Sequence, residues 1–272
     1  MKPLFFYPHK ALKDYISHFM IVDIQMTEPY NRSVPFPPTP QHSLHFYPGD
    51  PIRTSGADNQ FSYSPQSVIV GPQVTRVNLS MGRNHILLSV AFRPGGLFRL
   101  LKIPMYELYD RSYDAEDILG PPVREINERL RSAVGHLEMK TIVEDYLLKK
   151  ISYASLNGFE NSARMMLAHP GNLSIDQAAS LSCLSLRQFE RQSKVLLGYS
   201  PKFFQRVIRF SQAYRFKVSD PSLSWTQISY ASGYYDQMHL IRDFKEFGGA
   251  SPEILAKEIL RSPVQVQDHL KI

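Results

Sequence analysis

Two stretches of the chain are one unit written twice. Aligned, LSIDQAASLSCLSLRQFERQSKVLLGYSP (173–201) and LSWTQISYASGYYDQMHLIRDFKEFGGASP (223–252) bring Ile175 onto Trp225, Ala178 onto Ile228 and Leu181 onto Ala231. After a one-residue insertion at the turn, Phe189 falls on Leu240, Arg191 on Arg242 and Lys194 on Lys245. Gly198 and Ser200–Pro201 then fall on Gly249 and Ser251–Pro252. Two copies are too few for a solenoid, so the unit must be a paired one.

Each copy reads as a short helix, a tight turn and a second helix. Ser174 and Ser185 are placed to cap the two helices of the first copy, because a Ser side chain accepts from free N–H groups of the first turn. Ser224 and Asp236 hold the comparable places in the second, and Asp236 also suits the positive end of the helix dipole. Gly233 supplies the freedom the turn needs. This is helix-turn-helix organisation, whose second helix enters the DNA major groove.

That geometry gives the outward residues a purpose. With Phe189 in the core, Arg187, Gln188, Glu190 and Arg191 face solvent. Arg pairs with guanine, Gln with adenine, and Glu accepts from cytosine. With Leu240 and Phe244 in the core of the second copy, Gln237, Met238, His239 and Arg242 face outward, and Met238 suits a thymine methyl. Lys194 and Lys245, a turn further along, suit phosphate, which fixes register while the outward set reads sequence.

Between the copies, Phe203, Val207, Phe210 and Tyr214 recur at helical spacing, with Lys202, Arg206, Arg209 and Arg215 on other faces. A helix of about 16 residues would be roughly 24 Å long. Such a strut would hold two reading helices near one turn of DNA apart, about 34 Å. The net charge of +6 favours anionic partners, and its location sharpens the point. Eight Lys or Arg and one acid, Glu190, lie between Arg187 and Lys217.

The first 110 residues have a different grammar. SHFMIVDIQM, SLHFYPGD, QSVIVGP, TRVNLSM and HILLSVAFRP are short segments rich in β-branched and aromatic residues, punctuated by Pro or Gly. They predict a sandwich or small barrel. From about residue 114 the period becomes helical: Val123, Ile126 and Leu130 form one stripe, and Val143, Tyr146, Leu147 and Ile151 another. The first predicted helix suits packing within the chain, and the second is a candidate for pairing two subunits. The fold class is therefore α+β: a β-rich domain over 1–110, a helical connector over 111–157, a double helix-turn-helix domain over 158–260 and a tail over 261–272. The boundary falls near SLNGFENS.

Residues 160–257 closely resemble the AraC/XylS-type DNA-binding domain. LSLRQFERQSKVLLGYSP and GYYDQMHLIRDFKEFGGASP match its S-x-R-x-[LF]-x-R and G-[FY]-x-D-x-x-x-[FL]-x-R-x-F-K patterns, each followed by G-x-S-P. The resemblance implies base or phosphate roles for Arg187, Glu190, Arg191, Gln237, Met238, His239 and Arg242. Three features depart from the pattern: Ser193 where an aromatic is usual, AYRFKV in the linker helix, and Met238 where a small polar residue is common. AFRPGGLFRLLKIPMYELYD resembles the Pro-Gly-Gly segment of N-terminal domains that accompany this family. That implies a cupin-like barrel or jelly roll that senses an effector or makes a dimer, with the effector-binding residues unassigned.

Other chemistry is less well supported. His42 and His45, three apart, fall on opposite faces of a strand, and no third ligand stands at motif spacing, so no metal is expected. Arg93 in FRPGG either meets an anionic effector or caps a turn. Cys183, the lone cysteine, reads as a small buried hydrophobe. No Ser/His/Asp set or phosphate loop has its required context, so no enzyme and no cofactor is expected. The N-terminus has no signal pattern and no run is long enough to span a membrane, which predicts a cytoplasmic protein. The expected partners are double-stranded DNA, RNA polymerase, a small-molecule effector and a second copy of the chain. The alternatives are a cupin-type metal-dependent enzyme with a helical accessory domain, and paired hairpins that bind only protein.

Overall fold

The computed structural model describes residues 3–28, 33–56, 60–152 and 155–261. Strands β1 (Leu4–Phe6), β2 (Ile16–Gln25), β9 (Asn84–Phe92), β4 (Ser43–Phe46), β7 (Ser67–Val70) and β10 (Ser112–Asp114) lie side by side in that order. A smaller sheet of β3 (Val34–Phe36), β8 (Val77–Ser80), β5 (Arg53–Ser55) and β6 (Ser62–Tyr63) faces it. All described pairings are antiparallel, and the chain passes back and forth between the sheets in jelly-roll fashion.

The larger sheet is buried on both faces, which is why its strands read as nearly unbroken apolar runs. Side chains alternate along a strand. Ile21, Leu44, Ile69, Leu88 and Val90 face helices, and Met20, Val22, Val68 and Leu87 face the smaller sheet. Each such side chain, fully buried, contributes about 1.5–3 kcal/mol.

The helices covering the first face are α1 (Gly96–Leu101), α2 (Ala115–Leu119), α3 (Pro122–Ser132) and α4 (His136–Lys150). Val123, Ile126 and Leu130 of α3 and Met139, Val143 and Leu147 of α4 share one core with the sheet. Two sequence expectations are corrected here. The stripe on α4 is covered within the chain rather than by a second subunit. The segment 111–157 is no separate connector, since its first residues form β10 and its helices complete the N-terminal core. In addition, α1 and a 3-10 turn (Met105–Leu108) interrupt the expected all-β text.

The C-terminal domain contains α5 (Gly158–Ala168), α6 (Ile175–Leu181), α7 (Leu186–Leu197), α8 (Pro201–Ser219), α9 (Trp225–Ala231), α10 (Gln237–Gly248) and α11 (Pro252–Leu260). Gly158, within the SLNGFENS boundary, opens α5, capped by Asn157. A Cβ there would lie 2.5 Å from the Ser182 carbonyl oxygen, so only glycine lets α5 approach the first turn. Phe159, Phe189, Leu196, Phe204 and Ile208 form one core, and Val207, Phe210, Ile228, Leu240 and Phe244 another. Helix α8 feeds both. It has 19 residues, longer than expected, and spans about 28 Å. Of the predicted tail 261–272, residues 262–272 lie outside the described residues.

The two domains are joined by polar contacts. Arg99 on α1 donates to both oxygens of the buried Glu160 at 2.8 and 2.6 Å. The Tyr199 hydroxyl donates to the Gln73 carbonyl at 3.0 Å, and His42 Nε2 lies 3.2 Å from the Leu197 carbonyl oxygen. Arg76 reaches Glu258 on α11 at 2.5 Å and the Gly248 carbonyl at 3.3 Å.

Candidate nucleic-acid interface

The duplication in the sequence is a duplication of backbone geometry. After α6, Ser182 N–H donates to Ala178, Cys183 N–H to Ser180 and Leu184 N–H to Ala179. After α9, Ser232, Gly233 and Tyr234 repeat those bonds with Ile228, Tyr230 and Ser229. Both turns require a left-handed residue: Gly233 has φ +74°, and Cys183 has φ +56° in the same place. Cys183 is exposed, which corrects the expectation of a buried hydrophobe. The turn points its Cβ outward, away from the core that α6 and α7 share.

All four expected caps are formed. Ser174, Ser185 and Ser224 accept from the backbone three residues on, each within a reciprocal capping box closed by Gln177, Gln188 and Gln227. Asp236 accepts from His239 N–H at 2.8 Å and lies 2.8 Å from His239 Nδ1. The backbone N–H of His239 is the main cause holding the Asp236 carboxyl below its ordinary range. The inserted residue of the second copy is Tyr235, which stands 90% exposed just before α10.

On α7, Arg187, Gln188, Glu190, Arg191 and Lys194 are all exposed, with Phe189 wholly buried between them. On α10, Gln237, Met238, His239, Arg242 and Lys245 are exposed around the buried Leu240. Each helix thus presents an Arg and, three residues on, a Lys to solvent. Gln188 has a second task. Its Oε1 accepts from Ser185 N–H at 3.0 Å and from the Ser185 hydroxyl at 2.9 Å, so one atom of the fork that would pair with adenine is engaged in the cap. His239 likewise keeps only Nε2 for a ligand.

Of the cations expected along α8, Arg206 is committed within the domain. It donates to Asp243 at 2.7 Å and to Glu246 at 2.5 Å, and Tyr234 donates to the other oxygen of Asp243 at 3.1 Å. These partners raise the Arg206 pKa despite its desolvation. Arg209 stacks 5.3 Å over the Tyr234 ring. Lys202 alone of the four stays exposed. Ser193, where the pattern expects an aromatic, is fully buried and donates to the Tyr199 carbonyl at 2.8 Å.

The N-terminal candidates part company. His42 turns to the C-terminal domain, while His45 faces the space between the sheets, 3.2 Å from the Tyr47 hydroxyl. Arg93 Nε donates to the Lys13 carbonyl at 2.8 Å, which fits the turn-capping alternative. Among the described residues no three His, Cys, Asp or Glu side chains converge as a metal site requires. No helix among them is long and apolar enough to cross a membrane. A cavity of about 630 Å³ between the sheets went unnoticed in the sequence. The alternation His85–Leu87 on β9 and His45–Tyr47 around β4 was its only signal.

Residues 178–258 match a helix-turn-helix domain family, and residues 5–114 match a domain of unknown function (DUF6597). No curated protein sequence matches the chain. ToxT from Vibrio cholerae O395, solved with (E)-4-(8-methylnaphthalen-1-yl)but-3-enoic acid, superposes over 89% of this chain and 99% of its own, with TM-score 0.50 and 11% identity. The DNA-binding domain of AdpA, solved with a target DNA, covers 40% of this chain and 98% of its own at 22% identity and TM-score 0.37. A regulator from Chromobacterium violaceum with an AraC-type DNA-binding domain covers 39% and 95% at 25% identity and TM-score 0.36. The likeness to ToxT shows the fold, two domains of α+β class.

Proposed function

The chain carries an AraC-type helix-turn-helix domain at its C-terminus, and from that premise we propose that it is a sequence-specific transcription regulator reading two adjacent major-groove segments. The observation that supports this is the matched display on α7 and α10. Two capped helices present Arg191 with Lys194 and Arg242 with Lys245 at equivalent exposed positions. Arg187, Glu190, Arg191, Gln237, Met238, His239 and Arg242 face base edges, and Lys194 and Lys245 hold phosphate. Gln188 serves the cap first. Domains are best drawn with the N-terminal unit running through α4 and the reader from α5 to α11.

The N-terminal domain controls the reader, through an effector or a second copy of the chain, and the outcome is altered recruitment of RNA polymerase in the cytoplasm. The carboxylic acid seen with ToxT is not carried over, because no Lys or Arg is among the described residues lining the cavity. The test is selection of bound duplexes from a random library at two salt concentrations. A motif with two constrained patches about one helical turn apart is expected. Enrichment of nothing, with binding that disappears at moderate salt, would reduce the basic face to a phosphate-attracting surface and refute the reading.

A further inference from the structure

The reader leaves the cavity between the two sheets unused. At about 630 Å³ it falls within the range of small-molecule sites. Protein interiors pack densely and keep few voids larger than a water, so a space of this size in a jelly-roll core needs an explanation. Val34, Val68, Val70, Leu79, Met81 and Leu87 make the apolar part of its wall.

Polar side chains make up about half of the described lining, and two of them stand out. His85 and Ser55 line the cavity, and their Nδ1 and Oγ atoms are buried with no hydrogen-bond partner among the described residues. Buried polar atoms are otherwise almost always paired, because leaving one unpaired is costly. Burial lowers His45 and His85 to about 4, in His85 against the opposing pull of Asp50, so both imidazoles are neutral near pH 7. Burial likewise raises Tyr47 above its ordinary range. Among the described lining residues there is no Lys, Arg, Asp or Glu. A charged occupant would lose its hydration and gain no counter-ion from these residues.

We propose that this cavity binds an uncharged, mainly apolar small molecule whose hydroxyl or carbonyl pairs with His85 Nδ1 and Ser55 Oγ. The proposal rests on the reading that the N-terminal domain controls the reader. The position suits that role. Gln73 and Val77 line the cavity, and between them run the contacts to both reading units. The Gln73 carbonyl holds Tyr199 after α7, its side chain donates to the Phe36 and Thr75 carbonyls, and Arg76 holds the end of α10 and Glu258 of α11. An occupant that moves this wall moves the supports of both helices.

The test uses the full chain at pH 7.5 and two probes of one shape and different charge, 4-phenylphenol and 4-phenylbenzoate, followed by calorimetry. The phenol is expected to bind at least about tenfold more tightly than the carboxylate, a difference of about 1.4 kcal/mol. Leu79→Trp, which fills the cavity, should abolish phenol binding without unfolding the protein. Where Leu79→Trp fails to fold, Val70→Phe fills the space from the opposite sheet. His85→Phe should erase the preference for the phenol over biphenyl. Equal or tighter binding of the carboxylate, no binding of the phenol, or phenol binding undiminished in a folded cavity-filled variant would each overturn the proposal. Operator selection run on the same proteins separates the two readings: a recovered DNA motif with no phenol binding removes the cavity ligand and leaves the reader standing.

Discussion

In the first reading unit the C-terminal end of α7 is held by the N-terminal domain, through His42, Gln73 and the packing of Pro72 against Gly198. In the second, α10 is held mainly by the strut α8, through Arg206 with Asp243 and Glu246. The aligned residues show how one template took two supports. Gln192 stands where the second copy has Asp243, and Ser193 where it has Phe244. Phe244 fills its own core and stacks edge-on against Phe210 at 4.9 Å. Ser193 instead ties the chain to Tyr199, whose hydroxyl crosses to the other domain. The first unit is therefore tied to the N-terminal domain beside its reading helix, whereas the second meets that domain through Arg76, at the end of α10 and at Glu258 of α11, and draws its main support from α8.

The largest test of this contrast is Asp243→Ala. It strips a buried carboxylate from Arg206 and an acceptor from Tyr234, and should cost about 3 kcal/mol in urea unfolding. Gln192→Ala, at the same place in the first unit, should stay within about 0.5 kcal/mol. Similar losses from both would mean that the copies are supported alike.

Next come the reading arginines. Arg191→Ala and Arg242→Ala should each weaken binding to a selected operator by about 1–3 kcal/mol while unfolding midpoints hold. Each relaxes specificity at its own patch only, which repeated selection with the variants would show. Operator affinity that survives both changes would remove the proposed roles of these residues.

Acid should then divide the units. His42 is fully buried and lowered to about 4 from 6.5, by desolvation against the opposing bond to Leu197. A base with a depressed folded pKa contributes stability that is present above 6.5 and is lost as pH falls towards 4. Between pH 7 and pH 5 the loss is about 2 kcal/mol from this group. His45 and His85 titrate in the same window, so the readout is the difference between wild type and His42→Gln, which keeps a donor without titrating. Hydrogen exchange should place the difference at the end of α7 and not in α10. An equal loss in both helices would show that the His42 contact supports the two units alike.

What the sequence disclosed and what it hid divide along a physical line. Capping residues, the turn and the outward set are local, so Ser174, Ser185, Ser224 and Asp236 could be placed from spacing alone. The stripes of α3 and α4 were legible as stripes. What covered the α4 stripe was not, because a helix's apolar face does not say whether a sheet or a second subunit lies across it. Arg206 looked like one more cation, since its acids lie some 40 positions away in the chain. Gln188 shows a limit of local reading, because a capping box and a base contact draw on the same side chain. The cavity escaped because a wall assembled from two sheets has no contiguous signature.

The smallest effect isolates the turn itself. Cys183 and Gly233 occupy the same left-handed position, yet only one is the residue that conformation favours. A side chain there costs about 1–2 kcal/mol of local strain, and glycine gives back about 0.4–1 kcal/mol through the freedom of the unfolded chain. Because Cys183 is exposed and lends little to the core, Cys183→Gly should stabilise the protein by about 0.5 kcal/mol. Gly233→Ala should do the reverse and more, since the added Cβ would also come within 2.9 Å of the Gly171 Cα. Thermal unfolding of the two variants checks both signs. A destabilised Cys183→Gly protein would mean that the thiol has a partner of its own at the turn, and that the first unit has a further support which the second lacks.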